Sequence, residues 1–382
     1  MKLLAAGGGS GGHVTPVLAV INELGRIDPD LETLFVCDRS FEAQARGLMS
    51  HAERPVTVRR IAAGKLRRYH NRTWRERLSD IETVLFNLRD IFYIVVGFVQ
   101  SIWIILRFRP DVVFAKGGFV CLPIGLAAHL CRVPLVIHDS DTRPGLTNAI
   151  LGRFAHTIAT GSPLENYRYP AERSHYIGVP IDGAFQPMSQ LQQREAKAEI
   201  GIIDVTAPLV VITGGGLGAK TINDAIIKDA DTLLAAGIHV YHVCGKLHYD
   251  HLKQIAPEHP HYHLVPFVYK DMHRVLGAAD VIVARGSATF LQEMAAMAKP
   301  VIVIPSRFLG DQVKNAAMYG EAEAVRVLSD HEIGNSSVLA DTVIELMTDT
   351  PTRTKLARKL HTFAKPHAAS DLARLIDAAR RG

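Results

Sequence analysis

Four segments of this chain set glycine or other small residues beside groups that bind anions or move protons. The first is Gly7-Gly8-Gly9-Ser10-Gly11-Gly12-His13-Val14-Thr15-Pro16, directly after the apolar run Met1–Ala6. Glycines let a backbone approach a ligand closely, and a helix starting there turns free N–H groups and positive potential toward an anion. His13 sits at the tip of that loop, and an imidazole with an ordinary pKa of about 6.5 can serve as a general base at neutral pH. A helix-capping or surface histidine is the plainer alternative. Gly7, Gly9 and Gly12 also satisfy the GxGxxG spacing of dinucleotide loops, with Asp38 ending the next apolar run where a ribose-binding acid would fall. A nicotinamide-dependent enzyme therefore stays open on this half of the chain.

The second segment, Gly214-Gly215-Gly216-Leu217-Gly218-Ala219, again follows an apolar run and precedes a helical pattern. The third, Arg285-Gly286-Ser287-Ala288-Thr289, is a small-residue turn entering a helix, an anion site to which Arg285 adds charge. Glu293, a turn or so into that helix, can accept both hydroxyls of a ribose; a salt-bridge or helix-dipole role is the alternative. The fourth runs from Pro305 to Asn315, where Asp311 and Gln312 offer donors and acceptors to sugar hydroxyls.

Other signals are weaker. Asp139-Ser140-Asp141 has DxD spacing, but two carboxylates alone are a thin ligand set for a divalent metal. His259, His261 and His263 alternate without partners at ligand spacing beyond Glu258, and read as a solvated face. No bound metal or cofactor is expected. The basic stretch Lys65–Arg75 carries Arg67, Arg68, Arg72 and Trp74, and reads equally as a solvated loop or as a patch for anionic lipid headgroups. Close after it, Ile91–Leu106 holds 16 residues without a charge. That is short of the roughly 20 needed to span a bilayer, so a buried core helix is expected, with at most one lipid-facing side.

These loops need a scaffold. Apolar runs at Lys2–Ala6, Thr33–Cys37, Val112–Ala115, Leu135–His138 and Thr157–Thr160 read as strands, as do Leu209–Thr213, His239–Cys244, Tyr262–Pro266, Val281–Ala284 and Val301–Ile304. Helical spacing at Pro16–Leu24, Leu122–Leu130, Ile222–Ala235 and Thr289–Met297 alternates with them. Such alternation implies α/β architecture with parallel sheets covered on both faces. The strand, glycine loop and helix occur twice, which implies two doubly wound, Rossmann-like domains whose sheets face each other across a cleft. The expected division is residues 1–162, a linker and entry segment at 163–206 rich in proline, and residues 207–365. A basic, amphipathic helix at 366–382 is expected to return to the first domain.

The length of 382 residues suits two or three domains at about 150 each. With 48% hydrophobic and 21% charged residues, the chain is not largely disordered. A net charge of +5 suits an anionic ligand or membrane surface but is too small to argue for nucleic acid. Four scattered cysteines form no CxxC pair, so neither a disulfide framework nor a zinc site is expected, and a reducing cytoplasm is the natural compartment. The opening apolar run is too short for a signal peptide.

Taken in order, Gly8–His13, Lys116-Gly-Gly-Phe-Val120, His138-Asp-Ser-Asp141, Gly145-Leu-Thr-Asn148, Phe267–Met272, Arg285-Gly-Ser-Ala288 and Asp311–Ala316 resemble the bacterial cell-wall N-acetylglucosaminyltransferases of glycosyltransferase family 28. The resemblance implies a GT-B fold and inverting transfer of N-acetylglucosamine from UDP-GlcNAc to an undecaprenyl-diphosphate-linked MurNAc-pentapeptide (lipid I to lipid II). That is a step of peptidoglycan biosynthesis tied to cell shape and division. It implies a peripheral enzyme on the cytoplasmic face of the plasma membrane, with acceptor binding in the first domain and the nucleotide sugar in the second. By the same resemblance His13 is the base, and Gly9, Ser10, Gly11, Gly12, Asp141 and Asn148 belong to the acceptor and diphosphate loops. Gly215, Gly216, Val268, Arg285, Ser287, Ala288, Glu293 and Gln312 contact the donor. The basic stretch, read by itself, offers Arg67, Arg68, Arg72 and Trp74 as the candidate membrane contact.

The chain departs from the family pattern at three places. Asp141 replaces an amide, Gly216-Leu217 replace Ser-Gln, and Val179-Pro180-Ile181-Asp182 puts an acid where a cation binds phosphate. Asp182 beside a diphosphate is repulsive, and Lys116 or Lys220 are candidates to supply the missing charge. The alternatives are therefore a transferase for another nucleotide sugar or lipid acceptor, a sugar-nucleotide epimerase, or a binding protein with a degenerate nucleotide site.

Overall fold

A computed structural model describes residues 1–8, 11–65, 81–216, 218–268 and 270–380, excepting the side chains of 11–13 and 81–85. The chain divides into two compact units, Met1–Asp182 with Pro366–Gly382, and Gly183–Lys365.

In the first unit β1 (Lys2–Ala6), β2 (Glu32–Asp38), β3 (Val56–Ile61), β4 (Val112–Ala115), β5 (Leu135–Asp139), β6 (Thr157–Thr160) and β7 (Ser174–Tyr176) form one parallel sheet. Its order is β3-β2-β1-β4-β5-β6-β7. Around it lie α1 (Gly11–Ile27), α2 (Glu42–Met49), α3 (Ile81–Phe108), α4 (Cys121–Leu130) and α5 (Leu146–Leu151). The central strands are buried along their length, apart from Lys2 at the start of β1, because helices cover both faces. Leu3, Phe35 and Phe114 pack beneath Val14, Val17 and Ile21 of α1. Leu4, Val36 and Val113 face Cys121, Ile124 and Ala128 of α4 on the other side.

The second unit has α6 (Gln190–Glu199), α7 (Lys220–Ala235), α8 (Lys246–Leu252), α9 (Met272–Ala278), α10 (Ala288–Met297), α11 (Gly310–Glu321), α12 (Asp330–Asn335), α13 (Val338–Thr348) and α14 (Thr350–His361). Its sheet comprises β8 (Leu209–Thr213), β9 (His239–Val243), β10 (Tyr262–Val265), β11 (Val281–Ala284), β12 (Val301–Val303) and β13 (Arg326–Val327) in the order β10-β9-β8-β11-β12-β13. The final helix, α15 (Ala368–Ala379), belongs to the first unit, where Leu372, Ala373, Ile376 and Ala379 join the core beside α1. Arg380 then pairs with Asp28, which also binds the chain's N-terminus, both at Oδ2.

Two expectations change. The 163–206 segment is not a separate connector: residues up to Asp182 belong to the first unit and contribute β7, and the rest belong to the second and contribute α6. The apolar run Ile91–Leu106 is not a core helix either. It lies within α3, whose Phe86–Phe108 stretch of 23 residues has a mean hydropathy of 2.0 and is long and apolar enough to cross a membrane, yet only 22% buried. One side is clamped to the chain after β3. A Cβ on Gly64 would land on the Asp90 carbonyl and one on Gly97 on the Ala62 carbonyl, and Ala62 N donates to Gln100 Oε1 at 2.7 Å. The other side exposes Phe92, Val95, Val99, Trp103 and Leu106.

Candidate functional site

Each sheet reverses its strand order once, between β1 and β4 and between β8 and β11. Open parallel sheets bind ligands beyond the carboxyl ends of the strands at such points. Both glycine loops fall there.

In the first unit the loop leaves β1 with Gly7 N donating to Val36 O at 3.3 Å. A Cβ on Gly8 would stand 2.8 Å from Asp38 Oδ2 and 3.1 Å from Val120 Cγ1, so a larger residue would force this layer apart. Gly11, Gly12 and His13 form the first residues of α1, so the helix begins before the histidine. Gly9, Ser10 and the His13 side chain lie outside the described residues, as do Arg67, Arg68, Arg72, Trp74 and Leu217. Asp38 uses Oδ1 to accept from Ser40 N at 2.9 Å and Phe41 N at 3.2 Å, closing its own turn.

On the opposite side of this crevice the chain after β5 is held residue by residue. His138 Nε2 donates to Gly178 O at 2.9 Å, and Asn148 Nδ2 donates to His138 O at 2.9 Å. Tyr169 O–H donates to Asp139 Oδ2 at 2.8 Å, and Tyr167 O–H donates to Asp141 O at 2.5 Å. Asn148 is thus a structural clasp on this turn, with its Oδ1 buried and unpaired. Burial raises Asp139 to about 7, a rise that Asp141 reinforces while the Tyr169 hydroxyl and Lys116 oppose it. Burial also drives His138 well below its ordinary value, leaving it neutral.

In the second unit Gly215 and Gly218 have φ of +81° and +77°, conformations that favour glycine. Gly218 N donates to Gly215 O at 2.9 Å, and Gly215 N donates to Thr213 Oγ1 at 3.1 Å, so the loop folds on itself before α7. Gly216 is exposed at its tip. Lys220 is spent locally, paired with Asp224 at 2.6 Å on the open face of α7.

Arg285 is anchored. Its Nη1 donates to Asp330 Oδ1 at 2.7 Å and to Ile304 O at 3.0 Å, while Nη2 donates to Thr221 Oγ1 at 2.6 Å. Burial pushes the Asp330 carboxyl up, but its hydrogen bonds with Arg285 and Thr221 outweigh that and hold it below the usual range. Ser287 caps α10 by accepting from Phe290 N at 3.3 Å, with Ala288 next in the first turn and Glu293 half-buried further along. Asn315 Nδ2 donates to Gly286 O at 3.2 Å, and Gln312 Oε1 accepts from Ser306 N at 3.1 Å. The turns after β11 and β12 are therefore stitched together by the side chains of α11. Val268, after β10, is partly buried and packs against one of the two cores of the second unit.

Arg285, Ser287, Ala288, Gln312, Gly215 and Gly216 thus share the carboxyl edge of one sheet, while Asp141, Asn148 and the first glycine loop share that of the other. Asp182 is exposed, closes the first unit and acts on Arg26. His239 and His261 stack with ring centroids 3.9 Å apart, and His259 meets His261 edge-on. Among the described residues no group of three or more His, Cys, Asp or Glu side chains is arranged to hold a metal ion. Asn315 lies in the Asp311–Ala316 motif, but Thr221 and Asp330 carry no motif that marks them as partners of Arg285. The one readable cue is the Ser329–Glu332 capping box that starts α12.

Paired parallel sheets with a glycine loop at each reversal define a GT-B glycosyltransferase fold. The chain matches the glycosyltransferase family 28 N-terminal domain over residues 3–160 and the family 28 C-terminal domain over residues 209–372. It belongs to glycosyltransferase family 28. It is 34% identical over 337 residues to the UDP-N-acetylglucosamine--N-acetylmuramyl-(pentapeptide) pyrophosphoryl-undecaprenol N-acetylglucosamine transferase of Shouchella clausii, covering 87% of each chain. To the Geobacillus kaustophilus protein of the same name it is 32% identical, covering 89% of this chain and 88% of that one. Among solved structures, Acinetobacter baumannii MurG superposes with a TM-score of 0.71 at 21% identity over 99% of both chains. The UDP-GlcNAc 2-epimerase of Neisseria meningitidis superposes with a TM-score of 0.70 at 14% identity over 98% of this chain and 99% of that one. At those identities both report the fold alone.

Proposed function

We propose that this enzyme transfers N-acetylglucosamine, with inversion, from UDP-GlcNAc to an undecaprenyl-diphosphate-linked MurNAc-pentapeptide. The observation that carries it is the paired glycine loops at the strand-order reversals of a family 28 chain whose curated relatives are named for this reaction. The acceptor hydroxyl oxygen attacks the anomeric carbon, the bond from that carbon to the diphosphate oxygen breaks, and UDP leaves. His13 takes the hydroxyl proton. Negative charge growing on the leaving diphosphate meets the exposed Gly216 backbone and the first turn of α10, preorganised dipoles that need no reorientation as the bond breaks. Arg285 stabilises that end of the site through the turn it anchors. Glu293 accepts the ribose hydroxyls, the backbone at Val268 reads uracil, and Gln312 meets the donor sugar. Gly9–Gly12 and Asp141 serve the acceptor, and Asn148 holds the turn that carries Asp141.

The acceptor lipid lies in a membrane, and the enzyme works from its cytoplasmic face. The exposed apolar side of α3, following the basic stretch that includes Arg67, Arg68, Arg72 and Trp74, suits an anionic lipid surface.

Incubation with labelled UDP-GlcNAc and a short-chain lipid I analogue tests the reading. Transfer is expected, and His13→Ala is expected to abolish turnover while sparing UDP-GlcNAc binding. Release of a 2-epimer, turnover of another donor only, or binding without turnover would overturn it.

A further inference from the structure

Lys116 follows β4 and is 1% exposed, an unusual place for an ammonium group. Gly117 and Gly118, with φ of +114° and +86°, turn the chain away immediately afterwards, leaving the lysine side chain beneath the carboxyl edge of the sheet. Its Nζ donates to Ser140 Oγ at 2.5 Å, and that hydroxyl stands 3.5 Å from His138 Nδ1. Because His138 Nε2 donates to Gly178 O, Nδ1 is the accepting nitrogen, and the order Lys116–Ser140–His138 has a consistent donor direction. Asp139 and Asp141 flank Ser140.

The groups facing the ammonium are the carboxylates of Asp141 and Asp139, the neutral imidazole of His138 and the thiol of Cys121, while the Tyr169 hydroxyl and the Asn148 side chain hydrogen-bond Asp139. A buried cation without compensation is driven neutral, and two carboxylates in one turn repel each other. Here each problem answers the other. Burial draws Lys116 down to about 8, and Asp141 and Asp139 resist that fall.

We propose that Lys116 is a positioning residue for the acceptor: through Ser140 and the two flanking carboxylates it fixes the His138–Asp141 turn and sets the Asp141 carboxylate to accept hydrogen bonds from acceptor hydroxyls. The inference rests on the transfer reading above, with the acceptor bound by the first unit. It adds a residue whose own atoms meet neither substrate.

The test is steady-state kinetics of the full-length enzyme against a short-chain lipid I analogue and UDP-GlcNAc, from about pH 6 to about pH 9. Lys116→Met is expected to raise the acceptor KM by about ten-fold or more, the effect of losing one charge-assisted contact, and to leave the donor KM within about two-fold. Because Lys116 opposes the rise in Asp139, the acid limb of kcat/KM for the acceptor should also move to higher pH. Asp141→Asn alone should also raise the acceptor KM, and adding it to Lys116→Met should cost little further, because both residues act through one contact. If Lys116→Met does not fold, Ser140→Ala, which breaks the same link while leaving the ammonium and both carboxylates in place, should raise the acceptor KM in the same direction by a smaller factor. An unchanged acceptor KM and pH profile, equal rises in both KM values, or a double variant whose loss is the product of the two single losses overturns the proposal. A wild type that transfers nothing overturns the transfer reading and this inference together, whereas an active wild type with an indifferent Lys116→Met overturns the inference alone.

Discussion

Asp330→Asn is the sharpest test of how the second unit builds its anion-binding edge. The substitution keeps shape and one acceptor oxygen but removes the charge that holds Arg285 at 2.7 Å. The two side chains are 13% and 10% exposed, so most of the pair lies out of water. A hydrogen bond to a charged group in such a setting contributes about 1.5–3 kcal/mol, and stranding one member of a buried pair costs about 3–5 kcal/mol. Arg285 keeps Thr221 and the Ile304 carbonyl as acceptors, which places the expected loss near the lower end, about 2 kcal/mol. For a unit of this size that corresponds to a fall in Tm of about 4–8 °C, read by calorimetry on the transition of the second unit. UDP affinity, measured by titration calorimetry, should fall by about ten-fold as the turn before α10 loses its anchor. The pH dependence has a definite sign. Asp330 is held below its ordinary value in the folded chain, so its contribution is complete above about pH 4 and disappears as pH falls through the lowered folded value. Wild type and variant should converge there. A Tm within about 1 °C of wild type at neutral pH, with unchanged UDP affinity, would refute the anchoring role.

Three further outcomes are expected. Gly97→Val would drive a side chain into the Ala62 carbonyl and lift α3 from the segment after β3, destabilising the first unit by at least about 2 kcal/mol in urea unfolding. Asp139 binds its proton more tightly folded than unfolded, so relative to Asp139→Asn the wild type should lose stability as pH rises from about 4 to about 7 and then level off, as followed by urea midpoints across pH. Replacing Phe92 and Trp103, both 64% exposed, with Asp should lower partition into anionic vesicles by ten-fold or more at about 1.5–3 kcal/mol per apolar side chain, with Tm nearly unchanged.

Much of the fold was legible because its central strands are buried on both faces. Runs such as Leu209–Thr213 and Val281–Ala284 are then uninterruptedly apolar and end where glycine begins, so β8 and β11 stand where the sequence indicates them. Strands that lack that double burial escape notice. β3 reads Val-Thr-Val-Arg-Arg-Ile, an edge strand with Arg59 and Arg60 exposed, and β7 and β13 are three and two residues long. The α3 helix shows the complementary failure. An apolar run reveals that water is unfavourable there, but not whether protein or lipid replaces it. Gly64 and Gly97 dock one side, and among the described residues the remaining apolar side chains have no protein cover of comparable extent.

The site divides along the same physical line. Gly215, Ser287 and His13 were marked by local grammar, since a strand, a glycine turn and a helix start lie within a few residues of one another. The groups that tune them do not share that proximity. Arg285 meets Asp330, 45 residues on, and Lys116 meets Ser140, 24 residues on, because neighbouring strands deliver their carboxyl ends to one edge. Arg285 reads in the sequence as a free cation, yet its charge is largely balanced by Asp330. What it gives the donor end is a fixed turn more than a field. Lys116 reads as one residue of a loop motif, yet it is buried between two carboxylates of another. In both cases the sequence names the ion and the topology assigns its partner, so the charge a substrate meets at either edge depends on pairs that no local motif contains.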